Sequence, residues 1–77
     1  MKELLITIVS RLVDYPEEIS VEVAEPNEDG TVVYTLYVAE SDKGRVIGKQ
    51  GRIAKAIRTL MRTAGTRQGE KVSVDIN

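Results

Sequence analysis

Two glycines three positions apart, Gly48 and Gly51, enclose Lys49 and Gln50 in the middle of the chain. Glycine has no Cβ, so such a pair allows a tight turn and a close approach of the backbone to a bulky ligand. The residues after Gly51 follow a helical pattern, and the free N–H groups and positive dipole end of a helix start favour phosphate. Lys49 adds a mobile positive charge at the tip of the loop. The combination is typical of a surface for a phosphodiester backbone.

Positively charged side chains recur along the predicted helix that follows the loop. They are spaced by three or four residues and therefore lie along one helix face: Arg52, Lys55, Arg58 and Arg62. Phosphate contact is expected for Arg52 and Lys55, which are nearest the loop. For Arg58 and Arg62 the sequence leaves phosphate contact and an ordinary solvated face equally open. Arg45, before the loop, either reaches the same surface or is solvated. The two glycines also have a plainer interpretation, in which they only form a tight turn between two helices.

Three other nucleotide-binding motifs do not fit this sequence. A Walker A loop needs four residues between its glycines and a final Ser or Thr. Here three residues separate Gly44 from Gly48, and a glutamine follows the lysine, so the magnesium-binding hydroxyl is missing. The dinucleotide fingerprint G-x-G-x-x-G is absent as well. An RRM needs aromatic stacking platforms on its strands, which Tyr34 and Tyr37 alone do not supply.

The composition excludes most enzyme classes. The chain contains no histidine, which removes the commonest general base and metal ligand, and no cysteine, which removes disulfides and thiolate sites. The acidic residues lack the ordered spacing of a calcium loop. We therefore expect a protein without catalytic activity, metal or cofactor.

The charge is distributed unevenly along one small domain. Residues 1–40 carry nine acidic and two basic side chains, a net charge of −7, whereas residues 41–77 carry nine basic and three acidic, a net charge of +6. This asymmetry points to a polyanionic partner for the second half, or to a chance clustering of acidic turns. The 77 residues are expected to form a single domain, 1–77, in the cytoplasm, because no apolar run could span a bilayer and no signal peptide is evident.

Hydrophobic periodicity predicts a helix and two strands in the first half. Apolar pairs spaced by four indicate an amphipathic helix over 2–14, which Pro16 ends. Alternation indicates strands over 19–24 and 31–38, and the Asp29-Gly30 turn between them makes the pair antiparallel. Tyr34 and Tyr37 fall on opposite faces of the second strand, so that one of them packs in the core.

The second half contains two helices and a final strand. Ser41 is the expected N-cap of a short helix ending near Ile47, and a second helix from Arg52 ends at Gly65. The residues predicted to form the buried stripe of the second helix are Ile53, Ala56, Ile57, Leu60, Met61 and Ala64. Residues 72–76 alternate as the last strand. The order α-β-β-α-α-β predicts the α+β class, a three-stranded mixed sheet with helices covering one face.

In its loop and its element order the chain resembles the KH domains. Ile47-Gly48-Lys49-Gln50-Gly51 matches the I-G-x-x-G signature of that family, and α-β-β-α-α-β is the type II order of its bacterial members. The resemblance covers essentially the whole chain. The segment from Gly44 to Arg52 is similar to that of the KhpA group, small bacterial proteins with a single KH domain. The resemblance implies a KH type II fold and a loop that clamps about four unpaired nucleotides.

The resemblance also implies a function and a set of site residues. It implies non-catalytic binding of single-stranded RNA, a role as an RNA chaperone or post-transcriptional regulator, a homodimer, and pairing with a larger KhpB-like KH protein. A backbone clamp separates RNA from single-stranded DNA poorly unless it contacts the 2′-hydroxyl. By position the clamp is Gly48, Lys49, Gln50 and Gly51, and the apolar groove floor is Val46, Ile47 and Ile53.

One alternative function belongs to a different class. The KH fold could mainly supply a homo- or heterodimer surface, which would make the chain a protein–protein adapter. An exposed apolar patch on the helical side, or around Tyr37, would favour it.

Overall fold

The computed structural model describes residues 1–48 and 51–77 of the chain. Their secondary structure follows the predicted order α-β-β-α-α-β, with one short 3-10 helix in addition. The elements are α1 (Lys2–Ser10), the 3-10 helix (Pro16–Glu18), β1 (Ser20–Val23), β2 (Thr31–Tyr37), α2 (Glu40–Ile47), α3 (Arg52–Arg67) and β3 (Lys71–Ile76). Among the helices of the described residues, none is long and apolar enough to cross a membrane.

The three strands form one mixed sheet in the order β1-β2-β3. β1 is antiparallel to β2, with Val21 opposite Leu36, and β3 is parallel to β2, with Ile76 opposite the same leucine. At the tight turn between β1 and β2, the Thr31 backbone N–H donates to the Asp29 carboxylate at 3.0 Å. This hydrogen bond holds the pKa of the Asp29 carboxyl below its usual value. The predicted antiparallel hairpin and mixed sheet are both confirmed.

The core lies between one face of the sheet and the three helices, as the α+β prediction requires. Its buried apolar residues come from the three α-helices, the three strands and the segment after α1: Leu5, Val9, Val13, Val21, Tyr34, Leu36, Val46, Ile57, Met61 and Val74. Of the two β2 tyrosines, Tyr34 is in the core and Tyr37 is half-buried on the opposite face.

The first helix is four residues shorter than predicted, because it ends at Ser10 instead of residue 14. The cause is a long-range interaction that hydrophobic periodicity does not reveal. Asp42 of α2 is 1% exposed, and its carboxylate accepts the backbone N–H groups of Asp14 and Tyr15, each at 3.0 Å. If α1 continued to residue 14, these N–H groups would point along the helix axis and could not both reach the Asp42 carboxylate. The two hydrogen bonds to Asp42 therefore favour an earlier end of the helix.

The predicted role of Ser41 as an N-cap is wrong. α2 begins one residue earlier, at Glu40, and its N-cap Ala39 provides no side-chain hydrogen bond. The Ala39 carbonyl instead accepts the N–H groups of Asp42 and Lys43 at 2.9 and 3.0 Å. The helix therefore starts through the backbone alone, and Ser41 is exposed to solvent.

The end and the buried face of α3 also differ from the prediction. The helix passes Gly65 and continues to Arg67, and Gly65 is buried against β3, where an added Cβ would lie 2.7 Å from a methyl group of Val72. Ala56 and Leu60 are exposed, and Ala54 is buried in their place. The buried face of α3 is therefore rotated relative to the prediction and carries Ala54, Ile57, Met61 and Gly65, the last of them packed against Val72 of β3.

Candidate nucleic-acid interface

The connection between α2 and α3 turns at the two glycines. The Gly48 N–H donates to the Gly44 carbonyl at 2.8 Å and so closes the last turn of α2. The Gly51 N–H donates to the Gly48 carbonyl at 3.0 Å, and Gly51 has φ +69°, in the left-handed region that favours glycine. Lys49 and Gln50, the predicted centre of the clamp, lie outside the described residues.

A close backbone contact requires the first glycine of the pair. A Cβ added at Gly48 would overlap with the carbonyl oxygen of Gly44, the same oxygen that accepts the Gly48 N–H. Any other residue at Gly48 would therefore displace the last turn of α2. Each glycine thus has its own physical requirement, steric at Gly48 and conformational at Gly51.

The start of α3 is suited to an anion. Gly51 gives the helix no side-chain cap, and the first turn contains no acidic residue. The N–H groups of a first turn have no partner within their own helix, and the helix dipole is positive there. Arg52 and Lys55 are exposed on this turn, so the two side chains predicted to contact phosphate lie beside the unpaired amides.

The three apolar residues predicted as a groove floor have different exposures. Ile47 is 47% exposed and Ile53 is half-buried, so both present apolar surface next to the loop. Val46 is fully buried in the core. Its side chain is beneath the surface, where it packs against the other core residues and would not contact a base directly.

Arg45 forms an ion pair with a residue of the segment after α1. Its Nη1 lies 3.0 Å from Oδ1 of Asp14, and the two side chains are 48% and 59% exposed. Asp14 is in turn held in place by the backbone hydrogen bond to Asp42. Arg45 thus lies on the surface next to the segment after α1, partly neutralised by a carboxylate.

A polar cleft runs between α3 and the outer edge of β3. It has a volume of about 310 Å³ and is lined by Arg58, Arg62 and the β3 segment 72–75. The Arg58 Nε–H donates to the carbonyl of Val74 at 3.4 Å. Just after the strand, the Asn77 N–H donates to the carbonyl of Leu36 on β2. Every second residue of a strand bonds to the same neighbouring strand, so the residues in phase with Asn77 bond to β2, and Val74 is out of phase with them. The backbone groups of Val74 therefore face the open edge and the cleft.

The cleft contains residues that the sequence analysis did not select. Ser73, Val74 and Asp75 line it, together with the two arginines whose role the sequence left open. The alternating pattern of β3 places Ser73 and Asp75 away from the core, which was visible in the sequence. That β3 is an edge strand next to α3 became visible only in the tertiary structure.

A second, apolar groove lies on the helical side between α1 and α3. It has a volume of about 310 Å³ and is lined by Leu4, Ile8, Leu60, Thr63, Ala64 and Arg67. Leu4 and Leu60 are 39% and 51% exposed, so both contribute apolar surface to this groove. This groove is the exposed apolar patch that the adapter alternative requires.

No group of three or more potential metal ligands occurs within residues 1–48 and 51–77. In the described part of the chain the ion pairs are those of Lys43 with Glu40 and of Arg45 with Asp14. The basic side chains of α3 are therefore without carboxylate partners there, which leaves a positively charged helix face.

A pair of helices joined by a Gly-x-x-Gly turn and packed on a three-stranded mixed sheet defines a KH-type domain. The sequence model for the KH domain of KhpA and KhpB matches residues 2–76. The chain thus belongs to the KhpA/KhpB family of KH domains, which confirms the resemblance found in the sequence.

Curated relatives match over nearly their whole length. RNA-binding protein KhpA of Listeria monocytogenes is 49% identical over 99% of this chain and 97% of its own. The protein of the same name from Clostridium acetobutylicum is 49% identical over 99% of both chains. The one from Chlamydia trachomatis is 47% identical over 99% of this chain and 95% of its own. These are names of binding proteins, in agreement with the prediction that the chain is not an enzyme.

Crystal structures of Era share the fold with this chain. Aquifex aeolicus Era bound to GDP and aluminium fluoride superimposes with a TM-score of 0.69 at 24% identity, over 96% of this chain and 28% of Era. Era in complex with a nucleotide and a segment of 16S ribosomal RNA gives a TM-score of 0.62 at 23% identity over the same shares. Because the chain spans little more than a quarter of Era, this likeness concerns the architecture of one domain.

Proposed function

We propose that this protein binds single-stranded RNA, without catalysis, through the turn between α2 and α3. The observation that carries the proposal is the left-handed turn at Gly51, which leads into the uncapped start of α3 with no acidic residue in its first turn. The names of the curated relatives support RNA as the ligand.

Phosphates are the main contact in the proposed complex. The backbone at Gly48 and Gly51 approaches the strand closely because neither residue has a side chain, and Lys49 and Gln50 complete the clamp around about four nucleotides. The unpaired amides of α3, together with Arg52 and Lys55, neutralise the phosphates. The clamp discriminates little between sequences, since phosphate contacts position a strand without reading it.

Bases are placed on the apolar surface beside the clamp and in the cleft behind it. Ile47 and Ile53 present that apolar surface. From there the strand follows α3 into the cleft along β3, where Arg58 and Arg62 add positive charge. A role as an RNA chaperone or post-transcriptional regulator would build on this binding.

The decisive experiment changes the tip of the clamp. The double variant Lys49→Asp/Gln50→Asp should bind labelled single-stranded RNA at least about 100-fold more weakly in fluorescence anisotropy, because like charges at an interface cost several kcal/mol. The double variant Lys2→Asp/Thr7→Asp changes the net charge equally but lies on exposed positions of α1, and it should bind nearly as the unchanged protein does. Equal affinity of the two double variants, with circular dichroism of folded protein, would refute the clamp.

Salt provides an independent measurement on the unchanged protein. Each phosphate contact on a single strand contributes about −0.7 to the slope of log affinity against log salt concentration. Contacts from Lys49, Arg52 and Lys55 should therefore give a slope near −2. An affinity that does not depend on salt would contradict phosphate-dominated binding.

The groove between α1 and α3 favours a second function, association with a second copy or a KhpB-like KH protein. The exposed leucines Leu4 and Leu60 would be buried in such an interface. Leu60→Lys should lower the mass of the complex measured by sedimentation velocity, whether the protein is measured alone or mixed with the KhpB-like partner. Val23 is an exposed apolar residue of β1 outside the groove, so Val23→Lys should leave this mass unchanged. A mass that is the same for both variants and the unchanged protein would refute this surface.

A further inference from the structure

The central strand β2 is apolar on both of its faces. Tyr34 and Leu36 point into the core, whereas Val33 and Tyr37 lie on the opposite face of the sheet. A strand that water reaches on one face normally alternates apolar and polar residues, and a strand covered on both faces reads as a continuous apolar run. Within residues 1–48 and 51–77 the three α-helices pack on the core face. The sequence of β2 is therefore that of a strand whose second face also has a partner.

The second face of the sheet is accessible along β2. We call the residues of β2 on this face the outer stripe, and all three are half-buried: Val33, Thr35 and Tyr37. Their neighbours on β1 and β3 have short, exposed side chains: Ser20, Ala24 and Ser73. A partner can therefore reach the outer stripe without displacing larger side chains at its sides.

One carboxylate lies on each side of the outer stripe. Glu22 of β1 and Asp75 of β3 are both register partners of Thr35, so they flank it at the same level. Both are exposed, and within residues 1–48 and 51–77 no cation lies within 4.0 Å of either. Lys71 is on the same face, but its Nζ donates to the carbonyl of Asp29 at 3.1 Å. The face is thus an apolar stripe between two acidic flanks.

The dimensions of this face fit one α-helix laid along β2. Adjacent strands are about 4.8 Å apart, so the backbones of Glu22 and Asp75 are separated by about 10 Å, close to the diameter of a helix. Val33 and Tyr37 are four residues apart on one strand, or about 13 Å. A helix rises about 1.5 Å per residue, so roughly nine residues cover this length.

The charges decide which kind of partner fits. RNA is a polyanion, and both flanks of the outer stripe would repel it. A second copy packed face to face about a two-fold axis through Thr35 would place carboxylate opposite carboxylate, because both flanks are acidic. Like charges brought together at an interface cost several kcal/mol. A helix with Lys or Arg on both sides of an apolar stripe meets an opposite charge on each flank.

We propose that the outer face of the sheet docks a basic amphipathic helix of another protein. Its apolar residues pack on the outer stripe, and its cations pair with Glu22 and Asp75. The turn between α2 and α3 belongs to the helical layer on the other face of the sheet. Docking of such a helix is therefore an activity separate from the proposed RNA binding, and the two can occur on the same molecule.

The probe is a fluorescently labelled helical peptide of about 18 residues, long enough to form a helix in isolation. It has leucine at every third or fourth position, lysine on both sides of the leucine stripe and alanine elsewhere. Fluorescence anisotropy should show binding to the unchanged protein that weakens with salt, because exposed ion pairs are screened. The same peptide with glutamate in place of lysine should not bind.

Two pairs of variants locate the binding. Glu22→Gln/Asp75→Asn should weaken it about 3- to 30-fold, the loss of two exposed ion pairs. Glu3→Gln/Glu40→Gln removes the same charge from exposed positions of α1 and α2 and should bind within about twofold of the unchanged protein. Val33→Lys places a cation in the stripe and should weaken binding at least about 10-fold. Val23→Lys adds the same charge outside the stripe and should have little effect.

The outcomes separate this inference from RNA binding. The clamp variant Lys49→Asp/Gln50→Asp should bind the peptide about as the unchanged protein does. No binding of the lysine peptide at about 1 mM would overturn the proposal. Equal affinities of the two glutamine and asparagine variants, with circular dichroism of folded protein, would place the peptide elsewhere and overturn it as well. If Glu22→Gln/Asp75→Asn instead lowered the mass of the protein alone in sedimentation velocity, the occupant would be a second copy and the proposal would be wrong.

Discussion

The buried carboxylate of Asp42 fastens the segment after α1 to the helix that leads into the clamp. It is 1% exposed, and its two oxygens accept the N–H groups of Asp14 and Tyr15, each at 3.0 Å. Asp42→Asn keeps the size of the side chain but leaves one oxygen to accept. The amide NH₂ then faces the second backbone N–H, donor against donor.

The cost of Asp42→Asn follows from these contacts. A hydrogen bond to a charged group contributes about 1.5–3 kcal/mol, and the variant loses one such bond and weakens the other. We expect the free energy of unfolding to fall by about 2 kcal/mol. A chain of this length has a total stability of roughly 4–12 kcal/mol, so the loss is a large share of it. The melting temperature should fall by about 8–16 °C.

Urea denaturation followed by circular dichroism measures this loss, with Glu40→Gln as the matched control. Glu40 is in the same first turn of α2, but its side chain is 93% exposed and its ion pair with Lys43 spans 3.6 Å. The control should stay within about 0.5 kcal/mol of the unchanged protein. An Asp42→Asn variant as stable as the control would refute the reasoning, since the two buried hydrogen bonds would then contribute nothing.

Three further predictions concern packing, pH and charge. Gly65→Ala should destabilise the fold by about 1–2 kcal/mol in urea denaturation, because its Cβ would lie 2.7 Å from a methyl group of β3. The control Gly44→Ala has open space around it and should stabilise the fold by up to about 1 kcal/mol. Equal effects of the two variants would contradict the close approach of α3 to β3 at Gly65. Burial, helped by a nearby glutamate, raises the pKa of Tyr34 above its ordinary value near 10, so the unfolded chain ionises first and stability falls as the pH rises past 10. Tyr34→Phe should lessen this fall between pH 9 and 11, and an unchanged fall would contradict that origin. Asp14→Asn should release Arg45 from its ion pair and tighten RNA binding about two- to fivefold in fluorescence anisotropy. This gain should be absent when Arg45 is also changed to Ala. A gain that persists in the double variant would contradict the idea that Asp14 competes with RNA phosphates for Arg45.

Local signals in the sequence determined the order of the elements and the nature of the loop. Alternation and the Asp29-Gly30 turn fixed the β1–β2 hairpin, because a turn residue and its strands are close along the chain. The spacing of Gly48 and Gly51 before a basic helix indicated a phosphate-binding turn for the same reason. Each of these features depends on residues within a few positions of one another.

Other features depend on residues far apart in the chain, and only the tertiary structure decided them. α1 ends at Ser10 because Asp42, more than thirty residues away, binds the amides that follow. Gly65 is a packing residue, not a helix stop, because β3 returns against it. The cleft beside Arg58 exists because β3 is an outer strand in the order β1-β2-β3 and leaves an open edge next to α3. Periodicity along the chain tells which side of an element is apolar, but a partner distant in sequence decides where the element ends and which polar side chains meet.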